Sequence, residues 1–562
     1  MPLRMLPVID TMLTAAPFNL DAEALKWVHE TFDRLTLSEK VAQLFVLISM
    51  GDRPEEFERI KRLKPGGITR FFGPDAAAEL ANMSQLRDSA NVPPLVSADL
   101  EGSRMSLSFG TPVLNPLGLA AVDDVEATAA ISAIMAEEAR AIGVNWSFTP
   151  VIDINKAFRS AIVGTRGFGS DVDRIERQAL TQIEVFQAAG VAATVKHWPG
   201  EGYDDRDQHL VTTVNPLSFE EWDANFGRLY RAAIKAGVLS VMSAHIALPS
   251  FVRMLDPDAG IEAFRPASIS KILNQKLLRE RLGFNGLIVS DATPMGGLGA
   301  WCPRREAMPQ LIANGCDVIL FSDDPDGDME AVLAAVESGF IPAERFEDAL
   351  YRVLGLKAAL GLHNEPKRSD ADRQAALGRA ENRAIAQVIT ARAPTLVKDT
   401  QNLLPLDPEK HRRILVISDG IFSPIHRQAA DFILPGLLAE KGFSITHHAP
   451  EIAVTPEDFD LVLYLFGDET LLTRSHIFID WAKLMGGFGK AMQRYWHDIP
   501  TLMISFGYPY FLYDAPRVKT YINAYSTLDS VQQAVAEALL GNAKWNRNGP
   551  VDPFCGLEDA RY

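Results

Sequence analysis

The chain has 562 residues, 47% hydrophobic and 23% charged: ordinary globular proportions, but more length than one core usually supports. A net charge of −17 argues against nucleic acid or an anionic membrane surface as a partner. Cys302, Cys316 and Cys555 are too few and too scattered for a disulfide framework or a thiolate metal site.

Near the N-terminus, Pro7, Asp10 and Thr11 interrupt the apolar residues before a signal-peptide core could form. No apolar run approaches the roughly 18 residues of a membrane span, so the expectation is a soluble cytoplasmic protein. Asp21 to Arg34 has helical spacing, and Thr36-Leu-Ser-Glu39 reads as a capping box. Short apolar runs then recur: Val41–Ile48, Gly67–Phe72, Leu95–Asp99, Val144–Ile154, Val191–His197, Val238–His245, Leu287–Asp291 and Asp317–Ser322. Amphipathic segments lie between them, among them Val125–Ile142, Val172–Ala189, Phe219–Ala236 and Ile269–Leu282. Strand then helix, repeated about eight times, predicts a (β/α)8 TIM-like barrel over residues 1–360. A doubly wound open sheet alternates similarly, and the count favours the barrel. Residues 361–394 are charged and helical without clear strands, and read as a linker. From 395 to 562 strands reappear at Ile414–Ser418, Leu461–Phe466, Thr501–Phe506 and Thr520–Tyr525, predicting a smaller α/β domain.

Asp99, Asp153, Lys196, His197, His245 and Asp291 all fall at or near the C-terminal ends of their runs. That is the face where barrel enzymes place their chemistry. The loop after the fifth run is the densest in ionisable groups: Glu201, Asp204, Asp205, Arg206, Asp207 and His209 follow Lys196 and His197. Burying so many charges is costly, so the loop is expected at the surface, with Pro199, Gly200 and Gly202 letting it swing. Asp207 two residues before His209 suits a carboxylate that holds and tunes an imidazole.

A ring of carboxylates with one Lys-His pair admits a metal hydrolase, but His-x-His and HExxH spacings are absent, and no metal or cofactor is expected. Glycoside hydrolysis needs a carboxylate nucleophile and a second group to protonate the leaving oxygen. Asp291 suits the first role, and a loop imidazole suits the second.

The sequence resembles glycoside hydrolase family 3, within it the β-N-acetylglucosaminidase (NagZ-type) branch. The stretches that carry the resemblance are Val195-Lys-His-Trp-Pro-Gly200 through Asp207-Gln-His209, Gly283-Phe-Asn-Gly-Leu-Ile-Val-Ser-Asp291, and Asn145-Trp-Ser-Phe-Thr-Pro-Val-Ile-Asp153. Gly164-Thr-Arg-Gly-Phe-Gly169 and Asp99-Leu-Glu-Gly102 with Arg104 add to it, as do Leu403-Leu-Pro-Leu406 and Ser505-Phe-Gly-Tyr-Pro509 in the second domain. The resemblance implies a TIM-like barrel with a C-terminal α/β sandwich and a retaining, exo-acting β-N-acetylhexosaminidase. It implies Asp291 as nucleophile, His209 as acid/base and Asp207 as its partner. Asp99, Arg166, Lys196 and His197 would bind the sugar, with His245 beside them. The substrate would be an amino-sugar glycoside, or a peptidoglycan or chitin fragment. Departures from the pattern are Leu107 where the branch has a second arginine, together with Ser103, Glu201 and Thr293-Pro294. They leave open a β-glucosidase-like specificity, a phosphorylase, or a non-catalytic sugar-binding protein. In the β-glucosidase branch a second-domain glutamate is the acid, and Glu469 is its candidate here.

Overall fold

The computed structural model describes residues 6–51, 53–364, 368–422 and 429–562. The sequence signals at the start act as read. Asp21 caps the helix Ala22–Arg34 by accepting from the Ala24 amide, and Thr36 with Glu39 forms the capping box of Leu37–Ala42.

Eight parallel strands follow in sequence order: Phe45–Met50, Gly67–Phe71, Leu95–Ala98, Trp146–Ser147, Thr194–Trp198, Ser240–Ser243, Leu287–Ser290 and Ile319–Leu320. The first strand pairs with both the second and the eighth. Single bridges from Trp146 to Ala192 and from Val289 to Val318 join the two arcs into a closed ring. Their interior runs are almost wholly buried, as expected of parallel strands covered by helices on one side and filled by side chains on the other. Several strands are shorter than the apolar runs predicted. Val144–Ile154 contributes only two ladder residues, because cap and loop hydrogen bonds take over beyond Ser147.

The second lobe is a six-stranded sheet in the order Thr395–Asp399, Thr520–Asn523, Thr501–Ser505, Leu461–Asp468, Arg413–Phe422, Ser444–His447. Only the first strand of that order runs antiparallel. Alternation explains why helices cover both sides of it. Ile414, Val416, Leu461, Leu463 and Ile504 join the core shared with the barrel. Leu415, Ile417, Val462, Tyr464 and Met503 build a separate core on the opposite face. The fold is thus a TIM-like barrel followed by a smaller α/β sandwich.

The stretch read as a linker is more structured than expected. Outside 365–367, which lie beyond the described residues, it holds the helices Asp370–Ala375 and Ala380–Thr390. These dock on the barrel helix Val125–Ile142: Arg379 and Asn382 reach Glu137, and the Gly378 amide donates to Glu138. Among the described residues no helix is long and apolar enough to cross a membrane.

Candidate active site

The fifth strand, Thr194–Trp198, sets the site. Consecutive residues of a regular strand face opposite ways, yet Lys196 and His197 both serve the barrel mouth. The pairing with Ser240–Ser243 shifts register between Val195 and Trp198, and that irregularity re-aims the two side chains. Lys196 Nζ donates to Asp99 at 2.7 Å and to Glu101 at 2.8 Å. Glu101 also receives Arg166 as a two-pronged pair at 2.8 and 2.9 Å. Burial would raise the Glu101 carboxyl, but the two cations hold it well below the usual carboxylate range. His197 Nδ1 lies 2.6 Å from Asp153, whose other oxygen accepts the His197 and Glu201 amides. A two-pronged guanidinium, an ammonium and an imidazole are thereby fixed before any ligand arrives.

The charged loop is buried where it matters, contrary to the surface expectation. Asp207 is 1% exposed, Gln208 is fully buried and Glu201 is 3% exposed. Partners inside the fold make this tolerable. Asp207 Oδ1 accepts from His209 Nδ1 at 2.7 Å and from the His209 amide at 2.8 Å, and Oδ2 accepts the Thr473 amide at 2.9 Å. Gln208 spans Glu201 and the His245 amide. The Gly296 and Gly297 amides donate to the carbonyls of His209 and Gln208, seating this loop on the one after Asp291. The glycines expected to let the loop swing instead let it pack. A Cβ on Gly202 (φ 107°) would sit 2.1 Å from the Ile154 carbonyl oxygen.

Asp291 ends the seventh strand. Its amide donates to the Ser243 carbonyl, and Oδ1 accepts the Ala292 amide at 2.8 Å. Oδ2 has no hydrogen-bond partner. Burial pushes this carboxyl up, but the rings of His197, His245 and His209 together bring it below its ordinary value, so it stays ionised. A buried carboxylate with one oxygen left unbonded has the chemistry a nucleophile needs.

His245 does not take the place foreseen for it. It is fully buried, with Nδ1 2.8 Å from Ser268 Oγ and Nε2 3.0 Å from the Ala292 carbonyl. Burial lowers its proton affinity, which fits a neutral ring donating from Nε2. Both nitrogens are spent bracing the turn at Asp291, and neither is left for a sugar. Glu469 is likewise engaged. It is 3% exposed, and its oxygens accept from Ser103 Oγ, Asn115 Nδ2, the Thr527 amide and Thr527 Oγ. It clamps the lobes together.

Glu101, Glu201 and Thr473 were given no site role from the sequence, and Asp153 was placed at the barrel mouth without one. Glu101 and Asp153 stood inside recognised motifs, but Thr473 lies 266 residues from Asp207 and had no local signal. Burial and the carboxylates of Asp153, Asp291 and Asp207 raise Glu201 well above the carboxylate range, with Arg166 opposing. Asp153, His197 and Glu201 have the spacing of a metal group. The guanidinium of Arg166, 3.4 Å from His197 Nε2, opposes a cation there. Beside Asp99 opens a cavity of about 750 Å³ walled by Phe71, Phe72, Arg104, Leu107 and, from the second lobe, Leu528.

The signature of the glycosyl hydrolase family 3 N-terminal domain runs over residues 36–356. The chain belongs to glycosyl hydrolase family 3. A relative from Cellulomonas fimi, named β-N-acetylglucosaminidase/β-glucosidase, is 40% identical over 564 residues, covering 97% of this chain and 99% of its own. The solved structure of β-glucoside phosphorylase BglX superposes with a TM-score of 0.91 at 33% identity, over 98% of this chain and 100% of that one. A family 3 β-N-acetylglucosaminidase from Paenibacillus sp. gives 0.78 at 25% identity, over 93% and 100%. As a family 3 member the protein is a glycoside hydrolase, and its substrate is a carbohydrate.

Proposed function

We propose that the protein cleaves terminal N-acetyl-β-D-glucosaminides with retention, through a covalent glycosyl ester on Asp291. One observation carries the reading: an ionised Asp291 and a carboxylate-held His209 belong to two loops hydrogen-bonded to each other at the barrel mouth. Asp291 attacks the anomeric carbon as the glycosidic C–O bond breaks, and the leaving oxygen takes the proton from His209 Nε2. Water then attacks the anomeric carbon, gives its proton to Nε2, and the ester to Asp291 breaks. Asp207 fixes the tautomer by accepting from Nδ1, leaving Nε2 for the substrate. Asp99, Arg166, Lys196 and His197 hold the sugar, and their mutual pairing keeps them in place. The catalytic barrel spans 1–360 and the sandwich 395–562 in this reading.

A second reading puts phosphate in place of water. An imidazole base does not repel an incoming anion as a carboxylate would. The neighbour at TM-score 0.91 is described as a phosphorylase. The test is one panel: N-acetyl-β-glucosaminide and β-glucoside, each with and without inorganic phosphate, followed by NMR. A first product of β configuration that vanishes in Asp291→Ala supports the mechanism, and an inverted product refutes it. A sugar 1-phosphate assigns the second step to phosphate, and faster glucoside cleavage overturns the hexosaminidase specificity.

A further inference from the structure

The segment that follows the second-lobe strand Leu461–Asp468 crosses onto the barrel just where the acid/base loop lies. It is anchored on both sides of Thr473. Upstream, Glu469 binds Ser103 and Asn115, Thr470 Oγ lies 3.2 Å from Thr165 Oγ, and the Leu471 amide donates to the Ala161 carbonyl. Downstream, His476 bridges to Ser160 and its Nε2 lies 3.3 Å from Asp205. Between these anchors Thr473 and Ser475 take φ values of 62° and 45°. A left-handed conformation is a steric outlier for a β-branched residue and persists only where the surroundings impose it. What the turn delivers is the Thr473 N–H, 2.9 Å from Asp207 Oδ2. Among the described residues it is the one donor to that oxygen, because both His209 contacts fall on Oδ1.

We infer that the Thr473 backbone amide is a positioning group for the acid/base pair, supplied by the second lobe through a strained turn. Asp207 is buried, with Oδ1 on His209. With Oδ2 satisfied, the carboxylate is fixed in rotation and keeps Oδ1 on Nδ1. Without it, a buried carboxylate oxygen has no partner, and the carboxyl is free to rotate away or take a proton. Either change releases the His209 tautomer. The acid/base is therefore complete only when the lobes are docked, so the sandwich contributes to chemistry without contributing a side chain to it. This rests on the assignment of His209 as acid/base.

The experiment measures kcat/KM, which reports the step that expels the leaving group, for glycosides with poor and good leaving groups in the full-length enzyme. The decisive variant replaces the Leu472–Thr473 amide with an ester, by incorporating the α-hydroxy counterpart of threonine. This deletes the N–H and leaves the side chain in place. Ser475→Gly relieves strain in the same turn while keeping the Thr473 N–H. The ester is expected to lower kcat/KM roughly 10- to 100-fold on alkyl glycosides and by less than about 3-fold on dinitrophenyl glycosides. Ser475→Gly should match the parent on both. A loss of equal size on both substrates, or no loss on either, overturns the inference. His209→Ala is run alongside. If it lacks the leaving-group dependence, the acid/base assignment has failed; if it shows the dependence and the ester does not, only the role of Thr473 has failed.

Discussion

Which group protonates the leaving oxygen is decided by comparing His209→Ala with Glu469→Ala. Glu469 accepts four hydrogen bonds, but their loss is unequal. Ser103 Oγ has a second partner in Ser526 Oγ at 2.8 Å, and Asn115 Nδ2 has one in the Tyr525 carbonyl at 2.7 Å. The Thr527 amide and hydroxyl donate only to Glu469, so truncation leaves two buried donors orphaned. At about 1–3 kcal/mol each, Glu469→Ala should lose about 2–6 kcal/mol of stability. His209 has a side chain 21% exposed and bonds only to Asp207, so its removal should cost little stability. Its effect should fall on kcat/KM: about 10²- to 10⁴-fold on glycosides with poor leaving groups and nearly nothing on dinitrophenyl ones. Urea unfolding and a series of aryl and alkyl glycosides read the two effects separately. A leaving-group-dependent loss in Glu469→Ala, with none in His209→Ala, would refute the reasoning.

Three further outcomes follow from buried groups. Lys357 is fully buried on a single bond to Gln43, and burial lowers it from 10.5 to about 7. The unfolded chain binds the extra proton between those values, so stability rises from pH 7 towards 10. Lys357→Met should gain about 2–4 kcal/mol at or below pH 7, after loss of the Gln43 bond, and the gain should fade by pH 10 in denaturant titrations. Glu201 titrates the other way. Its raised folded value means a proton held in the fold and lost on unfolding, so stability declines as pH climbs above 4.5. Glu201→Gln should flatten that decline, and an unchanged pH profile counts against a protonated Glu201. Leu107→Arg puts a guanidinium into the cavity beside Asp99. The ratio of kcat/KM for N-acetylglucosaminide over glucoside should rise about 10-fold, or about 1.4 kcal/mol, and a fall in that ratio disproves the specificity argument.

Much of the architecture is written locally. Capping at Asp21 and Thr36, and the spacing of Val125–Ile142, depend on residues a few positions apart, and these elements form as read. The eightfold alternation of strand and helix dictates a barrel, because parallel strands must be covered by crossover helices of one hand. The same closure brings strand ends from across the chain to one mouth, so Asp99, Lys196, His197 and Asp291 could be placed together from their positions alone. Which of these charges are buried, and at whose expense, was not local information. Asp207 and Glu201 looked like surface groups because burial of a charge is costly; the distant Thr473 amide satisfies Asp207, and Gln208, brought back by the loop, donates to Glu201. His245 looked like a ligand because a strand-end histidine carries no mark of what its nitrogens touch. Ser268 and the Ala292 carbonyl claim both only once two strands are aligned. Glu469 could have been an acid or a clamp, and the docking of the lobes made it a clamp. Periodicity and capping act over a few residues and so are visible in order along the chain. Hydrogen bonds that satisfy buried charge join residues tens to hundreds of positions apart, and only the tertiary structure decides them.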